Sequence, residues 1–461
     1  MSTAQVGKVH IHPVRHGVRG EVRIPHSKPH MQRAVLLSLL ANAPSVIVNP
    51  AWSSESRDLF EAAKLFGADV VHEDEARLVV TGTGRSAGPP ATPVTTAGSA
   101  FNFRTLAAVA CLIPGETVIE GNASMRARPV TRYLNFITDL GARWDDVSDA
   151  THLRIKVRGG SRLAGETLID PRHSSQALTA ALLVAPLADG EVRIRYDGEP
   201  VGEGYVDLTL AMMREQGAAV ERSGPSFLVT PSAYRSQVHL IASDFTALSY
   251  VAGAVAVVRD ADVTVAGYRP SGLSSEKEFM EVLGALGVHC RHDPVARTLR
   301  LRHTGPAAAS VEIDGRNMPT VVPTLAAIAP FVDAKVTVRD VAHVNNHKCP
   351  RVSVMLTELG RLGCQLTPLH RADGLLDGFT TTGRQSPPGG VAVDGHGDHR
   401  IFMSLATAAL GCRMGAVVDG AHLLPASFPG YLDVLTRLGV HWDPSGRQHL
   451  EPVPTATKAL M

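Results

Sequence analysis

The sequence predicts an α/β protein assembled from six copies of one unit. Six times a helix-like stretch ends in a glycine followed by a strand-like start, at Gly67, Gly141, Gly217, Gly287, Gly363 and Gly439, in strings such as FGADV, LGARW and LGVHW. The spacings between them, 74, 76, 70, 76 and 76 residues, are nearly constant. Each glycine follows an amphipathic run, for example SESRDLFEAAKLF or RPVTRYLNFITDL, and a glycine just past a helix takes a left-handed conformation that a side chain resists. A period of roughly 75 residues exceeds the common solenoid repeats and accommodates a strand, a helix, a strand, the glycine-stopped helix and a closing hairpin.

The first helix of each unit holds most of the unusual chemistry. These helices start at SKPHMQR (27–33), GSAFNFR (98–104), HSSQALT (173–179), SDFTALS (243–249), NMPTVVP (317–323) and GDHRIFM (397–403). Their equivalent places in the repeat allow six helix N-termini to converge, and free N–H groups with a partial positive charge make such a place an anion site. For any one start, capping alone accounts for the small polar residue. Lys28, Arg104 and Arg400 tip the balance, because cations at these ends oppose the helix dipole and call for an anion.

Composition narrows the function. With 461 residues, 44% hydrophobic and 19% charged, the chain has material for two cores. A net charge of +1 argues against nucleic-acid binding through a general basic field. The opening MSTAQVGKVHIHPVRHG lacks the apolar run of a secretion signal, and no later run is long enough to cross a bilayer. Five cysteines without paired spacing point to a reducing cytoplasm, and the absence of CxxC or HExxH gives no metal site. The expectation is a cytoplasmic monomer with no membrane or nucleic-acid partner and no cofactor.

The segments IPHSKPHMQRAVLLSLLA, ARPVTRYL, SSQALTAALLVAPLA, GYVDLTLAMM, MPTVVPTLAAIA, GDHRIFMSLA and SFPGYLDVLTRLG stand in the order and at the intervals of 5-enolpyruvylshikimate-3-phosphate (EPSP) synthase, and nearly the whole chain resembles that family. The resemblance implies a two-domain inside-out α/β barrel of six βαβαββ repeats, three per domain. Residues 1–25 and 241–452 would form one discontinuous domain, 26–240 the inserted one, and 453–461 a flexible tail. It also implies transfer of the enolpyruvyl group of phosphoenolpyruvate (PEP), a co-substrate, to a hydroxyl of a second small phosphorylated substrate. Phosphate is released in that reaction. By the same resemblance Lys28 lies between the two substrates, Arg128, Arg351, Arg400 and Gln176 face PEP, and Arg33, Ser174, Ser175, Gln176, Tyr205 and Thr320 face the acceptor together with Lys28. The arginine forks suit phosphate and carboxylate.

Departures from the family pattern fall on the chemistry. Pro29 follows Ser27-Lys28 where the family has serine, and Pro319-Thr320 replaces Pro-Asp. Lys348-Cys349-Pro350-Arg351 lacks both acids of Lys-Glu-Xaa-Asp-Arg, Ala426 replaces a lysine, and Gly202 replaces a serine. Threonine does not ionise near neutral pH, so Thr320 is no equivalent base. His30 and His347 are the histidines whose motif positions suit acid–base catalysis, alongside Lys28 and Lys348, and Cys349 is a candidate nucleophile. The reading is an EPSP-synthase-like enolpyruvyl transferase with a modified acceptor site in specialised metabolism. A lyase that eliminates phosphate from a shikimate-like ring, and a non-catalytic phospho-ligand binder, stay open beside it.

Overall fold

A computed structural model describes residues 7–444 except 127, 161 and 307. The expected tail, 453–461, lies outside these residues. Helices and strands assemble into six four-stranded sheets, one for each predicted unit. All six stop glycines have positive φ, between 80° at Gly439 and 106° at Gly141, so the signal that set the repeat is a real conformational requirement.

The second unit shows the pattern in order. Strand Val94–Thr95, helix Ala100–Cys111 and strand Gly115–Gly121 are followed by short helices and the pair Arg143–Asp146 and Leu153–Gly159. The first two strands run parallel around the helix, and the last two close the sheet antiparallel. Three sheets instead borrow a strand from far along the chain. Val238–Leu240 completes the first sheet beside Pro44–Val48, Arg19–Val22 completes the fourth beside Asp262–Ala266, and Lys8–Ile11 lies between Ala416–Asp419 and Trp442–Pro444 in the sixth. Strands between Pro44 and Leu240 pair only with one another, as do the described strands outside that span.

The chain passes between these two sets of sheets at two adjacent segments. His26 bridges Ser243, Ser27 N–H donates to the Ala242 carbonyl at 2.7 Å, and Asp244 N–H donates to the Pro25 carbonyl at 2.9 Å.

The first helices of the units are apolar on nearly every side, which is the pattern of a buried helix. Every residue of Phe245–Val257 is buried, and this helix packs with Val322–Ile328 and His399–Gly411 in one core. Lys28–Leu40, Ala100–Cys111 and Gln176–Val184 pack together in the other. Some polar side chains inside these clusters pair with each other, as Ser249 with Thr324 at 3.0 Å and Gln32 with Asn102 at 2.7 Å, which offsets the cost of burying them. Amphipathic helices such as Ser54–Leu65 and Arg351–Arg361 cover the outside. Among the described residues no helix is long and apolar enough to cross a membrane.

Candidate active site

The N-terminal ends of five of the six core helices border a cleft of about 980 Å³, counting space open to solvent, whereas the start of Phe245–Val257 supplies none of its lining. Of the residues singled out in the sequence, Lys28, Arg33, Arg128, Ser174, Ser175, Gln176, Tyr205, Thr320, His347, Lys348, Arg351 and Arg400 all line it. His30 does not. Its N–H caps onto Ser27 Oγ, and its Nδ1 accepts the Ala242 N–H at 3.3 Å, which turns the ring toward the chain crossing.

Both sets of sheets contribute to the walls, and they touch across the cleft. Lys28 Nζ reaches the Ala426 carbonyl at 3.4 Å, Asn346 Nδ2 approaches His173 Nδ1 at 3.4 Å, and Gly202 N–H donates to the Arg316 carbonyl at 3.2 Å. Gly202 has φ 63°, and a Cβ there would lie 3.3 Å from the Tyr205 ring. A serine at this position is therefore strained, which gives the departure from the family residue a physical reason.

Arginines dominate one end. Arg351 starts its helix and directs Nε and Nη2, each at 2.8 Å, to Oδ2 of Asp398, a carboxylate with no exposed surface. Asp398 also caps the helix His399–Gly411 through Oδ1 to the Arg400 N–H at 2.9 Å. Burial works against its ionisation, but Arg351, His399 and the capping bond outweigh this and hold the carboxyl far below its usual range. Arg400 Nη1 is buried with no hydrogen-bond partner among the described residues. Arg128, held by the Gly98 carbonyl at 3.1 Å, is less willing to carry its charge because of burial and the nearby Arg351. Three guanidinium groups with donors to spare fit a phosphate or carboxylate.

Arg104, expected to call for an anion, has its charge served otherwise. It donates to the carbonyls of Val130 at 3.1 Å and Pro129 at 3.3 Å and to Gln176 Oε1 at 2.6 Å, so it fixes Gln176 at the cleft. Arg33 is likewise engaged. It is 3% exposed, and its fork donates to Thr209 Oγ1 at 2.7 Å and to the carbonyls of Pro29 at 2.9 Å and Tyr205 at 3.1 Å.

At the centre stands a residue the sequence did not flag. Glu55 Oε2 accepts from Lys28 Nζ at 2.8 Å, and Oε1 lies 3.7 Å from Lys348 Nζ. Burial raises its pKa, yet the two lysines prevail and hold the carboxyl at about 2. Lys348 is shifted downward by burial, with Glu55 opposing. In sequence Glu55 is only an acid in the first turn of a helix capped by Ser53, a commonplace pattern that carries no sign of the cleft.

On the acceptor wall, Ser174 Oγ accepts the Gln176 N–H at 3.3 Å, while Ser175 occupies the N-cap position without a capping bond. Thr320 Oγ1 accepts from Thr246 at 3.0 Å. The Tyr205 hydroxyl is buried beside it without a well-formed hydrogen bond, and burial raises its pKa. His347 is pushed well below its usual value by burial and then by Arg351, so it enters the cleft as a neutral ring. Burial and the nearby Asp398 carry the Cys349 thiol up to about 12, which removes it as a nucleophile at neutral pH.

The histidines at the crossing predict an acid-sensitive fold. Burial lowers His239 from 6.5 to about 4, and burial with His239 and Arg33 does the same to His30. The unfolded chain therefore binds more protons between these values, so stability is full above about pH 6.5 and falls as pH drops toward 4. His239 alone accounts for about 3 kcal/mol over that range. Urea unfolding across this window should show a slope that His239→Gln makes shallower.

Comparison with known proteins follows the same lines. The family model for EPSP synthase (3-phosphoshikimate 1-carboxyvinyltransferase) matches residues 14–435. The 3-phosphoshikimate 1-carboxyvinyltransferase of Methanosarcina acetivorans is 30% identical over 428 residues, 92% of this chain and 96% of that one. The protein of the same name from Syntrophobacter fumaroxidans is 30% identical over 425 residues, 92% and 97% of the two chains. The solved EPSP synthase of Acinetobacter baumannii superposes with a TM-score of 0.78 at 18% identity, covering 95% of this chain and all of that one, a likeness of fold.

Proposed function

Since the chain belongs to the EPSP synthase family and is a transferase of that kind, we propose that it moves the enolpyruvyl group of PEP to a hydroxyl of a phosphorylated acceptor other than shikimate 3-phosphate. The observation that carries the transfer reading is the convergence of Lys28, Arg128, Lys348, Arg351 and Arg400 on one cleft, with Arg400 Nη1 buried and unpaired among the described residues. Two phosphorylated anions need such a set to lie side by side.

Arg128, Arg351 and Arg400 hold the phosphate and carboxylate of PEP, with Gln176 alongside. Lys28 and Lys348 flank the reacting carbons. A lysine gives its proton to the PEP methylene, the acceptor oxygen bonds to the adjacent carbon, and the hydroxyl proton passes to a neighbouring base. The methyl group then returns a proton to the lysine as the carbon–oxygen bond to phosphate breaks, leaving an enolpyruvyl ether and inorganic phosphate. Lys348 suits the proton transfer because burial brings an ammonium closer to neutrality. Glu55, ionised at neutral pH, fixes both lysines rather than serving as the base.

The acceptor side supports a changed substrate. Thr320 offers no carboxylate, and the Arg33 fork, which the family uses for the shikimate carboxylate, is largely bonded to Thr209, Pro29 and Tyr205. Ser174 and Ser175 would hold the acceptor's phosphate. We take residues 1–25 with 241–452 as one domain and 26–240 as the other, closing at the crossing beside Lys28 and Asp244; the pairing of the described strands, Lys8 to Pro444, supports this division. The reaction needs no cofactor and fits a cytoplasmic setting.

Phosphate release with PEP should be measured over shikimate 3-phosphate, nucleoside monophosphates, and sugar and cyclitol phosphates. The expected result is a higher kcat/KM for a phosphate without a ring carboxylate; a maximum with shikimate 3-phosphate contradicts the acceptor assignment. Thr320→Asp restores a positioned base and should raise turnover of shikimate 3-phosphate by about 10²-fold.

A further inference from the structure

Far from the cleft, the two ends of the described chain meet in one sheet. Strand Lys8–Ile11 pairs antiparallel with Trp442–Pro444, with His10 opposite Asp443, and His12 N–H donates to the His441 carbonyl at 3.1 Å. Because side chains alternate across a strand, the motifs His10-Ile11-His12 and His441-Trp442-Asp443 present all four polar residues on one face. The His12 Nε2 to Asp443 Oδ2 distance is 2.7 Å, His441 Nδ1 lies 3.8 Å from the same oxygen, and the three ligand atoms fall within 4.8 Å of one another. The His10 ring lies tilted against His12 at 4.2 Å, and the His441 ring meets His12 edge-on at 4.6 Å, which restricts the ring orientations.

We propose that His12, His441 and Asp443 form a binding site for a divalent transition metal of the zinc class, joining the first described strand to the last. Two imidazoles and a carboxylate are ordinary zinc donors, and ligand atoms around a tetrahedral zinc stand about 3.3 Å apart, so the present spread closes with side-chain adjustment alone. Side-chain exposures of 33%, 71% and 55% for His12, His441 and Asp443 leave the site open to an ion from solvent, with water completing the coordination. His12 and Asp443 are 431 positions apart, so no local spacing motif announces the site. An ion held there bridges the inner strand of the sixth sheet to its edge strand, and binding to the folded form alone raises stability.

The test uses the full chain without an affinity tag, stripped with EDTA and titrated with zinc chloride by calorimetry. One saturable equivalent is expected, with a rise in the thermal midpoint and unchanged turnover at the distant cleft. His441→Ala and His12→Ala should each weaken binding by at least about 10-fold, and the double variant should abolish the thermal shift. Both side chains are substantially exposed, and circular dichroism checks that each variant is folded. Failure of the parent protein to bind at one equivalent, or equal binding by the double variant, overturns the proposal.

Discussion

Arg351→Ala is expected to remove nearly all turnover and to weaken the fold together. The arginine gives one hydrogen bond through Nε and a close ion-pair contact through Nη2 to a carboxylate with no solvent access, so truncation strands Asp398 as a buried charge. Breaking such a pair costs about 3–5 kcal/mol, and a carboxylate that must then protonate also loosens the cap it provides for the helix His399–Gly411. That helix carries Arg400, so the damage reaches a second cation of the cleft. Loss of an anion-stabilising donor adds about 10²–10³-fold in rate. Arg351→Lys retains a charge for Asp398 but not the fork, and should recover more stability than activity. Urea unfolding beside steady-state kinetics checks both parts; an alanine variant with parental stability refutes the assigned role of the pair.

Glu55→Gln should lower kcat by about 10²-fold or more while the protein stays folded. The carboxylate counters two ammonium groups, one from each side of the cleft, and it opposes the downward pull of burial on Lys348. An uncharged amide of the same shape leaves Lys28 and Lys348 repelling each other. The pKa of Lys348 then falls further, so the basic limb of the rate–pH profile moves to lower pH. A purely structural Glu55 would change stability without moving that limb. An unshifted profile with normal kcat rules out the proposed clamp.

The sequence made the repeat legible because the conformational demand at each of six glycines is local, and it made the cleft legible because helix starts hold equivalent places in the unit. Strand exchange is not legible in the residue pattern itself; only the family resemblance implies a discontinuous domain. Arg19–Val22, Val238–Leu240 and Lys8–Ile11 join sheets whose other strands lie elsewhere in the chain, and alternation of side chains says nothing about a distant partner. Arg128, Arg351 and Arg400 line the cleft, but whether a guanidinium is free depends on carbonyls supplied by other elements. Arg104 is consumed by Pro129, Val130 and Gln176, whereas Arg400 keeps a donor unpaired among the described residues. His30 was expected to face the cleft because of its position two residues after Lys28. The backbone of Ala242 captures its ring instead, at a crossing that only the folded chain creates. Glu55 escaped notice for the same reason, since its meaning lies in Lys28 and Lys348, which approach it only in space.

The most direct test of the central claim is mass spectrometry of the protein incubated with carbon-13-labelled PEP and the acceptor panel, with phosphate followed in parallel. The account predicts one acceptor that gains the labelled enolpyruvyl group in step with phosphate release, and no product with Arg400→Ala. Phosphate release from an acceptor without PEP, or no labelled product from any acceptor, would contradict it.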